Sequence, residues 1–324
     1  MTKRVMVQMP ISQGMREVFD ARPDIECDRV TDLSEENLIQ QIAHYDAAIL
    51  GVAPFTSHII ENATRLQIVS RLGVGYDAVD VPALTHAGIP LTVVGTANSV
   101  TVAEHSLFLI LALAKRCTIY DREVRKGNWN IRFEFPAYDI AGRKVLVLGL
   151  GRIGRRLVPR LRAMEMEVLV HDPYVVQDAI TCAGATPVEN WRAVLPEIDF
   201  LSVNCPKNEE TTGMVGAAEL AAMKRTAFVV NTARGGIVDE TALYEALKAG
   251  TIAGAGIDPF VIEPAPANTP LFELDDIIVS PHSAGVTEES LYRMGYVAAQ
   301  NVVDCFDGKL NPDNVINKEV LAKG

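Results

Sequence analysis

Three segments in the second half of the chain carry ionisable residues directly after apolar, strand-like runs. They are Val230-Asn-Thr232-Ala-Arg234-Gly-Gly236, Ile257-Asp258-Pro-Phe-Val-Ile-Glu263-Pro264 and Val279-Ser-Pro281-His282-Ser-Ala-Gly285. Open α/β sheets put their ligands at such strand ends. An arginine beside two glycines can present its guanidinium fork to a carboxylate through two parallel hydrogen bonds. A histidine next to a carboxylate can hold or release a proton near neutral pH, because the acid raises its pKa and fixes the ring. Taken one at a time, these residues read equally as a surface arginine, loop acids and a histidine hydrogen-bonded in a turn. Together they suit hydride transfer at a carbinol carbon, where a proton must leave or reach the oxygen at nearly the same time. His282 is then the acid–base, Glu263 its partner, and Arg234 the clamp on a substrate carboxylate that also polarises the carbonyl. No His, Cys or Asp cluster has zinc spacing, so no metal site is expected. No G-x-S-x-G elbow points to a hydrolase.

A hydride needs a carrier, and the middle of the chain supplies a place for one. Lys144-Val-Leu-Val-Leu148 runs into Gly149-Leu-Gly151-Arg-Ile-Gly154. A strand that ends in G-x-G-x-x-G and opens a helix brings backbone N–H groups against a pyrophosphate. Gly149 permits the tight turn, Gly151 the approach of the phosphates, and Gly154 close packing of helix on strand. The helix expected from about Arg152 to Arg162 aims its positive end at the anion. A second strand, Met166–His171, ends at Asp172, 18 residues past Gly154. An acid there accepts the adenosine ribose hydroxyls and repels a 2′-phosphate, which favours NAD over NADP. The bland alternative is an ordinary βαβ unit with a solvated aspartate.

These segments need a scaffold, and 324 residues are enough for two cores. A hydrophobic content of 48% and a mean hydropathy of +0.14 argue against disorder. The net charge of −11 and pI near 5.1 argue against nucleic acid or an anionic membrane as partner. An acidic chain must therefore bind an acidic small molecule through locally placed donors. Five scattered cysteines, Cys27, Cys117, Cys182, Cys205 and Cys305, read as reduced thiols of a cytoplasmic protein. The N-terminus reads as a first strand rather than a signal peptide. The most apolar run, Ser106–Ala114, is too short to span a bilayer, so no membrane anchor is expected.

Before the glycine turn, strands are expected at Val5–Val7, Ile25–Val30, Ala47–Leu50, Gln67–Ser70 and Ile89–Val94. Helices lie between them, one opening at Ser34 with its hydroxyl as cap and one over Ser57–Ala63. This complete α/β layer of about 95 residues precedes the dinucleotide fingerprint, so it must be a separate domain. One long helix from Val100 to about Arg125 is expected next, apolar on more than one face and therefore core, dimer interface or both. Further strands follow at Asp199–Asn204, Ala227–Val230, Ile252–Ile257 and Ile277–Val279. Helices run over Asp239–Lys248, capped by Asp239, and about Glu288–Phe306.

With these motifs in order, the chain resembles the D-isomer-specific 2-hydroxyacid dehydrogenases, in particular the short phosphoglycerate-dehydrogenase-like and hydroxypyruvate-reductase-like members. The resemblance covers nearly the whole chain. It rests on the segments above together with Gly73-Val-Gly-Tyr-Asp-Ala-Val-Asp80 and Asn98-Ser-Val-Thr-Val-Ala-Glu104. It implies an α/β fold of two Rossmann-like, doubly wound parallel-sheet domains with the active site in the cleft between them. Residues 1–98 plus 287–324 would form a flavodoxin-like substrate-binding domain, and 99–286 the NAD-binding domain. It also implies that Arg234, Glu263 and His282 are catalytic. Val74 and Gly75 would offer amides to the substrate carboxylate, and Arg152 and Ile153 would meet the pyrophosphate. Cys205 and Pro206 would line the adenine side with Thr211 nearby, and Thr232, Ala233 and Asp258 would hold the nicotinamide end. A homodimer is implied, built on the nucleotide domain and the helix after Val100.

Two departures bear on the substrate. Phosphoglycerate-specific relatives carry arginine in the loop after the third strand, where this chain has Ala53 within Gly51-Val-Ala53-Pro-Phe55. The sequence ends at Gly324, where longer relatives continue into an amino-acid-sensing regulatory domain. Arg71 could meet a second anionic group or be a plain strand-end cation. The expected reaction is NAD-dependent interconversion of a small D-2-hydroxy acid and its 2-oxo acid, with hydroxypyruvate or glyoxylate ahead of sulfonated or phosphorylated acids. A non-catalytic NADH-sensing interaction protein of the same fold is the alternative from another class. A relative oxidising formate or phosphite is a third.

Overall fold

Short apolar runs of four or five residues, each followed by a helix, build two parallel sheets. The computed structural model describes residues 2–323. The chain divides into two compact units, Met1–Asn98 with Val286–Gly324, and Ser99–Gly285. Val286 thus groups with the first unit, one residue earlier than the expected boundary.

In the first unit β1 (Lys3–Val7), α1 (Gln13–Asp20), β2 (Ile25–Arg29), α2 (Glu35–Ile42), β3 (Ala47–Leu50), α3 (Ser57–Glu61), β4 (Ile68–Arg71), α4 (Val81–His86) and β5 (Leu91–Thr92) follow in order. The second opens with α5 (Ser99–Ala114), α6 (Cys117–Arg125) and α7 (Ile131–Glu134). Its nucleotide half is β6 (Lys144–Leu148), α8 (Gly154–Ala163), β7 (Glu167–His171), α9 (Gln177–Cys182) and β8 (Thr186–Pro187). The rest is β9 (Phe200–Val203), α10 (Ala217–Ala222), β10 (Phe228–Asn231), α11 (Glu240–Lys248), β11 (Gly254–Ile257) and β12 (Ile277–Val279). A last long helix, α12 (Glu288–Phe306), belongs to the first unit.

The described strands pair in the orders β2-β1-β3-β4-β5 and β12-β11-β10-β9-β6-β7-β8, all parallel. Both are doubly wound: strand order reverses at β1/β3 in the first and β6/β9 in the second, where ligands bind at carboxyl ends. Helices cover both faces, so the central strands are buried, except for Lys144 at the start of β6, and read as apolar runs rather than alternations.

The return of α12 to the first unit depends on two small residues. A Cβ on Gly14 would lie 2.1 Å from the Tyr292 carbonyl oxygen, and one on Gly295 1.9 Å from Ser12 Oγ. The backbones of α1 and α12 therefore touch, and Met294, Ala298, Ala299 and Val302 bury against Val5, Val7, Ile49 and Ile68.

Two local expectations are corrected. The long helix is broken between Ala114 and Cys117, because Arg116 adopts φ 51° in the left-handed region. That turn is held by side-chain contacts the local pattern does not reveal. The Arg116 guanidinium stacks 3.3 Å from the Phe135 ring centroid, and its Nε donates to the Pro136 carbonyl at 3.0 Å. Ser34 precedes α2 but its hydroxyl makes no capping hydrogen bond; its amide instead donates to Asp32 Oδ1 at 3.0 Å. Among the described residues no helix is long and apolar enough to cross a membrane.

Asp199 fixes the entry to the second sheet. Its backbone joins β6 and β10, with Asp199 N donating to Lys144 O and Phe228 N donating to Asp199 O. Its carboxylate, only 7% exposed, accepts from Lys144 N at 3.0 Å, Arg143 Nη1 at 3.0 Å and Lys224 Nζ at 3.1 Å. Burial alone would raise this carboxyl's pKa, but the amide and the two cations outweigh it and hold the group below its ordinary 3.8. A depressed folded-state pKa stabilises the fold fully above the unfolded value, and that stabilisation is lost as pH falls through the folded one. Asp199→Asn should therefore cost about 1–3 kcal/mol in urea unfolding at pH 7. The gap to the parent should narrow as pH drops below about 4. Equal stability at pH 7 would remove this role.

Candidate active site in the second unit

The glycine turn after β6 is shaped by contacts that a side chain would block. Gly149 has φ 99°, and a Cβ on it would sit 3.0 Å from the Asn204 carbonyl and Cys205 N. A Cβ on Gly154 would lie 2.2 Å from the Gly149 carbonyl oxygen, so α8 starts in direct contact with the turn. Gly151 differs: nothing lies within 4 Å of where its Cβ would be, which leaves open space beside the backbone. Among the described residues, no hydrogen bond is donated by the amides of Gly151, Arg152 or Ile153. Asp172 is tied to the same turn, its Oδ2 accepting from Leu150 N at 2.8 Å and its Oδ1 from Tyr174 N at 3.0 Å.

The loop after β9 completes this end. Cys205 is largely buried, and burial pushes its thiol up to about 11, so it is a small neutral side chain here. The Pro206 carbonyl accepts from Thr211 Oγ1 at 2.7 Å, while Thr211 N donates to Asn208 Oδ1 at 2.9 Å. Thr211 therefore holds the loop closed on itself. In the first unit, Val74 and Gly75 follow β4 in the loop that begins at Leu72, and among the described residues neither amide donates a hydrogen bond. Arg71 Nη1 donates to the Leu50 carbonyl at 3.1 Å.

β10, β11 and β12 are neighbours in the second sheet, so the segments bearing Arg234, Glu263 and His282 leave it side by side. After β10, Asn231 folds the chain back: its Oδ1 accepts from Ala233 N and its Nδ2 donates to the Arg234 carbonyl. Thr232 and Ala233 are buried, and Thr232 Oγ1 lies 2.7 Å from Ser106 Oγ of α5. Arg234 Nη1 donates to the Ala233 carbonyl at 2.7 Å.

After β11, Glu263 accepts from Phe260 N through Oε1 at 3.0 Å and meets His282 Nδ1 through Oε2 at 2.8 Å. A carboxylate oxygen accepts, so Nδ1 carries the proton, and in the neutral ring Nε2 is the basic nitrogen. The His282 side chain is 38% exposed, which leaves that nitrogen within reach of a small molecule.

His282 sits at φ 51° in a turn suspended from Asp258. The Asp258 side chain is buried, with Oδ1 accepting from Ser280 Oγ at 2.6 Å and Ser283 N at 2.7 Å, and Oδ2 from Ala284 N at 3.0 Å. His282 N donates to the Asp258 carbonyl at 3.2 Å. A carboxylate offers about four acceptor positions, so one remains for a further donor. Among the described residues no group of three or more His, Cys, Asp or Glu could hold a metal ion.

Two contributors escape a reading by motif. His105 Nε2 lies 3.1 Å from Ser280 Oγ, which itself donates to Asp258. Burial lowers the His105 pKa, and the Asp258 charge pulls the other way. The available signal is Glu104-His105-Ser106, a polar interruption in an otherwise apolar helix. Asn231 is the other, a residue whose separate role is hidden inside its motif.

The family model described as "D-isomer specific 2-hydroxyacid dehydrogenase, NAD binding domain" matches residues 107–284. The chain is 35% identical over 315 residues to a D-3-phosphoglycerate dehydrogenase of Archaeoglobus fulgidus, a match covering 97% of this chain but 59% of that relative's length. It is 37% identical over 294 residues to a glyoxylate reductase of Korarchaeum cryptofilum, covering 89% of this chain and 87% of the relative. Among solved structures it is similar to the D-lactate dehydrogenase from Aquifex aeolicus complexed with NAD and lactic acid. That likeness has a TM-score of 0.87 at 26% identity and covers 97% and 99% of the two chains. Two doubly wound sheets, the glycine turn and the three adjoining strand ends thus occur together in a chain that belongs to the D-isomer specific 2-hydroxyacid dehydrogenase family.

Proposed function

We propose that the protein is an NAD-dependent oxidoreductase interconverting a small D-2-hydroxy acid and its 2-oxo acid. The observation that carries this reading is the 2.8 Å contact between Glu263 Oε2 and His282 Nδ1 on a histidine whose side chain remains partly exposed. The residues at the glycine turn fit the dinucleotide: unengaged amides at Gly151, Arg152 and Ile153, open space beside Gly151, and Asp172 for the ribose. The bound nicotinamide supplies or accepts the hydride. In reduction, protonated His282 gives its Nε2 proton to the carbonyl oxygen, and in oxidation neutral Nε2 takes the hydroxyl proton. Glu263 stabilises the imidazolium and keeps the ring oriented. Arg234 holds the carboxylate and draws charge onto the carbonyl oxygen. The amides of Val74 and Gly75, which among the described residues donate to no protein acceptor, add donors for the same carboxylate. Cys205, Pro206 and Thr211 line the adenine side. Thr232 and Ala233 would border the nicotinamide, and the remaining acceptor position of Asp258 would take its carboxamide.

Ala53 supplies no cation for a phosphate, so glyoxylate or hydroxypyruvate is preferred to 3-phosphoglycerate. The glyoxylate reductase likeness supports that order. Exposed Phe108, Trp129 and Phe133 between residues 99 and 135 support a homodimer. Five cysteines without a disulfide support a cytoplasmic setting.

His282→Ala should lower kcat by about 10²–10⁴ on a panel of 2-oxo acids with NADH. Its NADH affinity, read by fluorescence titration, should stay within about threefold. NADH binding with no oxidation by the parent protein across the panel would instead favour a nucleotide sensor. Turnover of formate or phosphite alone would assign a different donor. Asp172→Ala should cut the ratio of kcat/KM for NAD over NADP by roughly tenfold or more, about 1.4 kcal/mol of discrimination. A parent protein using NADP as well as NAD would refute the ribose assignment.

A further inference from the structure

The loop that presents Glu263 is held by a second carboxylate that the reaction does not use. Phe260 N donates to Glu263 Oε1 at 3.0 Å, and the next amide, Val261 N, donates to Glu240 Oε1 at 2.7 Å. Gly235, beside Arg234, backs directly onto the same two residues. A Cβ there would lie 2.1 Å from the Phe260 carbonyl carbon and 2.5 Å from Val261 N. The Phe260 side chain is buried against Phe272, but the two residues after it are held little by theirs, Val261 and Ile262 being 54% and 64% exposed. A cavity of about 700 Å³ opens alongside it, lined by Glu240, Phe260, Val261, Pro266 and Thr269. Packing therefore holds the Phe260 end, while the Glu240 hydrogen bond and the Gly235 contact set where the Val261 end of these peptides lies. Glu263 must keep one oxygen on Phe260 N while the other faces His282 Nδ1, so any tilt of those peptides moves the imidazole's partner.

Glu240 is itself well placed to act as a fixed post. It is the first residue of α11, whose N-cap Asp239 accepts from Ala242 N at 2.9 Å. Burial pushes the Glu240 carboxyl up, with Asp239 and Glu263 acting the same way and the Val261 amide and Lys207 against it. An uncharged acceptor of the same length would thus be tolerated at this position.

We infer that Glu240 is a positioning residue of this enzyme, fixing the Glu263 loop through Val261 N so that the acid faces His282. The inference rests on the acid–base reading above. A bland role exists for comparison: an acid in the first turn of a helix stabilises the helix dipole without touching any loop.

The two roles separate by charge and reach. Glu240→Asp keeps the charge in the first turn but is one methylene too short for Val261 N. Glu240→Gln loses the charge and keeps the reach. With the best 2-oxo acid of the panel and NADH, Glu240→Asp should lower kcat about tenfold while the Kd for NADH stays within twofold. It should also shift the limb of the kcat/KM pH profile that His282 sets. Glu240→Gln should retain at least half of kcat and the parent profile. Asp239→Ala, which removes the cap of α11, should lower Tm without moving the profile. Parent-like kinetics for Glu240→Asp, or a larger loss in Glu240→Gln than in Glu240→Asp, would overturn the positioning role. His282→Ala is run alongside: if it keeps full turnover, the acid–base reading fails, and if only it loses turnover, the failure is that of Glu240 alone.

Discussion

The buried carboxylate of Asp258 is the constraint on which the candidate site depends. It directly follows β11, accepts three hydrogen bonds from the turn after β12, and receives the His282 amide on its backbone carbonyl. A buried carboxylate is tolerable only when most of its acceptor positions are filled, so the carboxylate and the turn specify each other. The left-handed conformation of His282 is one consequence. A non-glycine residue at positive φ persists only where its surroundings over-determine it, and here the amides on both sides of the turn are anchored. The ring is aimed before any ligand arrives, which removes an ordering cost from binding.

The same logic recurs around each acid near the site. Asp172 accepts from Leu150 N and Tyr174 N, Glu263 from Phe260 N, and Glu240 from Val261 N. The direct hydrogen-bond donors to these carboxylates are backbone amides, with Lys207 adding a charge near Glu240. Amides belong to the fold itself, so the donors are positioned by strand ends and turns and need no extra side-chain ordering. This is why the strand order matters for chemistry: β10, β11 and β12 must be neighbours for three turns to share donors and acceptors.

Much of this is legible in the amino-acid sequence alone. Strand-like apolar runs, the fingerprint from Gly149 to Gly154, Asp172 at the end of the next strand, and the Asp239 cap all occur where periodicity and spacing put them. What escapes such a reading is set by contacts distant in sequence. The kink at Arg116 depends on Phe135 and Pro136, and nothing in the periodicity of residues 100–125 announces it. The docking of α12 depends on Gly14 and Gly295, which in isolation read as helix-weakening glycines. His105 acts through Ser280, 175 residues away, so no local motif could connect them.

The net charge of −11 looks ill suited to ligands that are themselves anions, yet fold and charge are reconciled at short range. At physiological ionic strength the field of distant surface acids is screened within about 8 Å. Within that distance, the glycine turn offers amides that donate to no acceptor among the described residues and the positive end of α8, and the nearby carboxylates are already hydrogen-bonded to backbone donors. A carboxylate that accepts two or three amides projects far less negative potential than a bare one. Acids held in this way add little repulsion toward an approaching anion. Overall acidity then governs solubility and encounter, whereas recognition is decided by where a few peptide dipoles point.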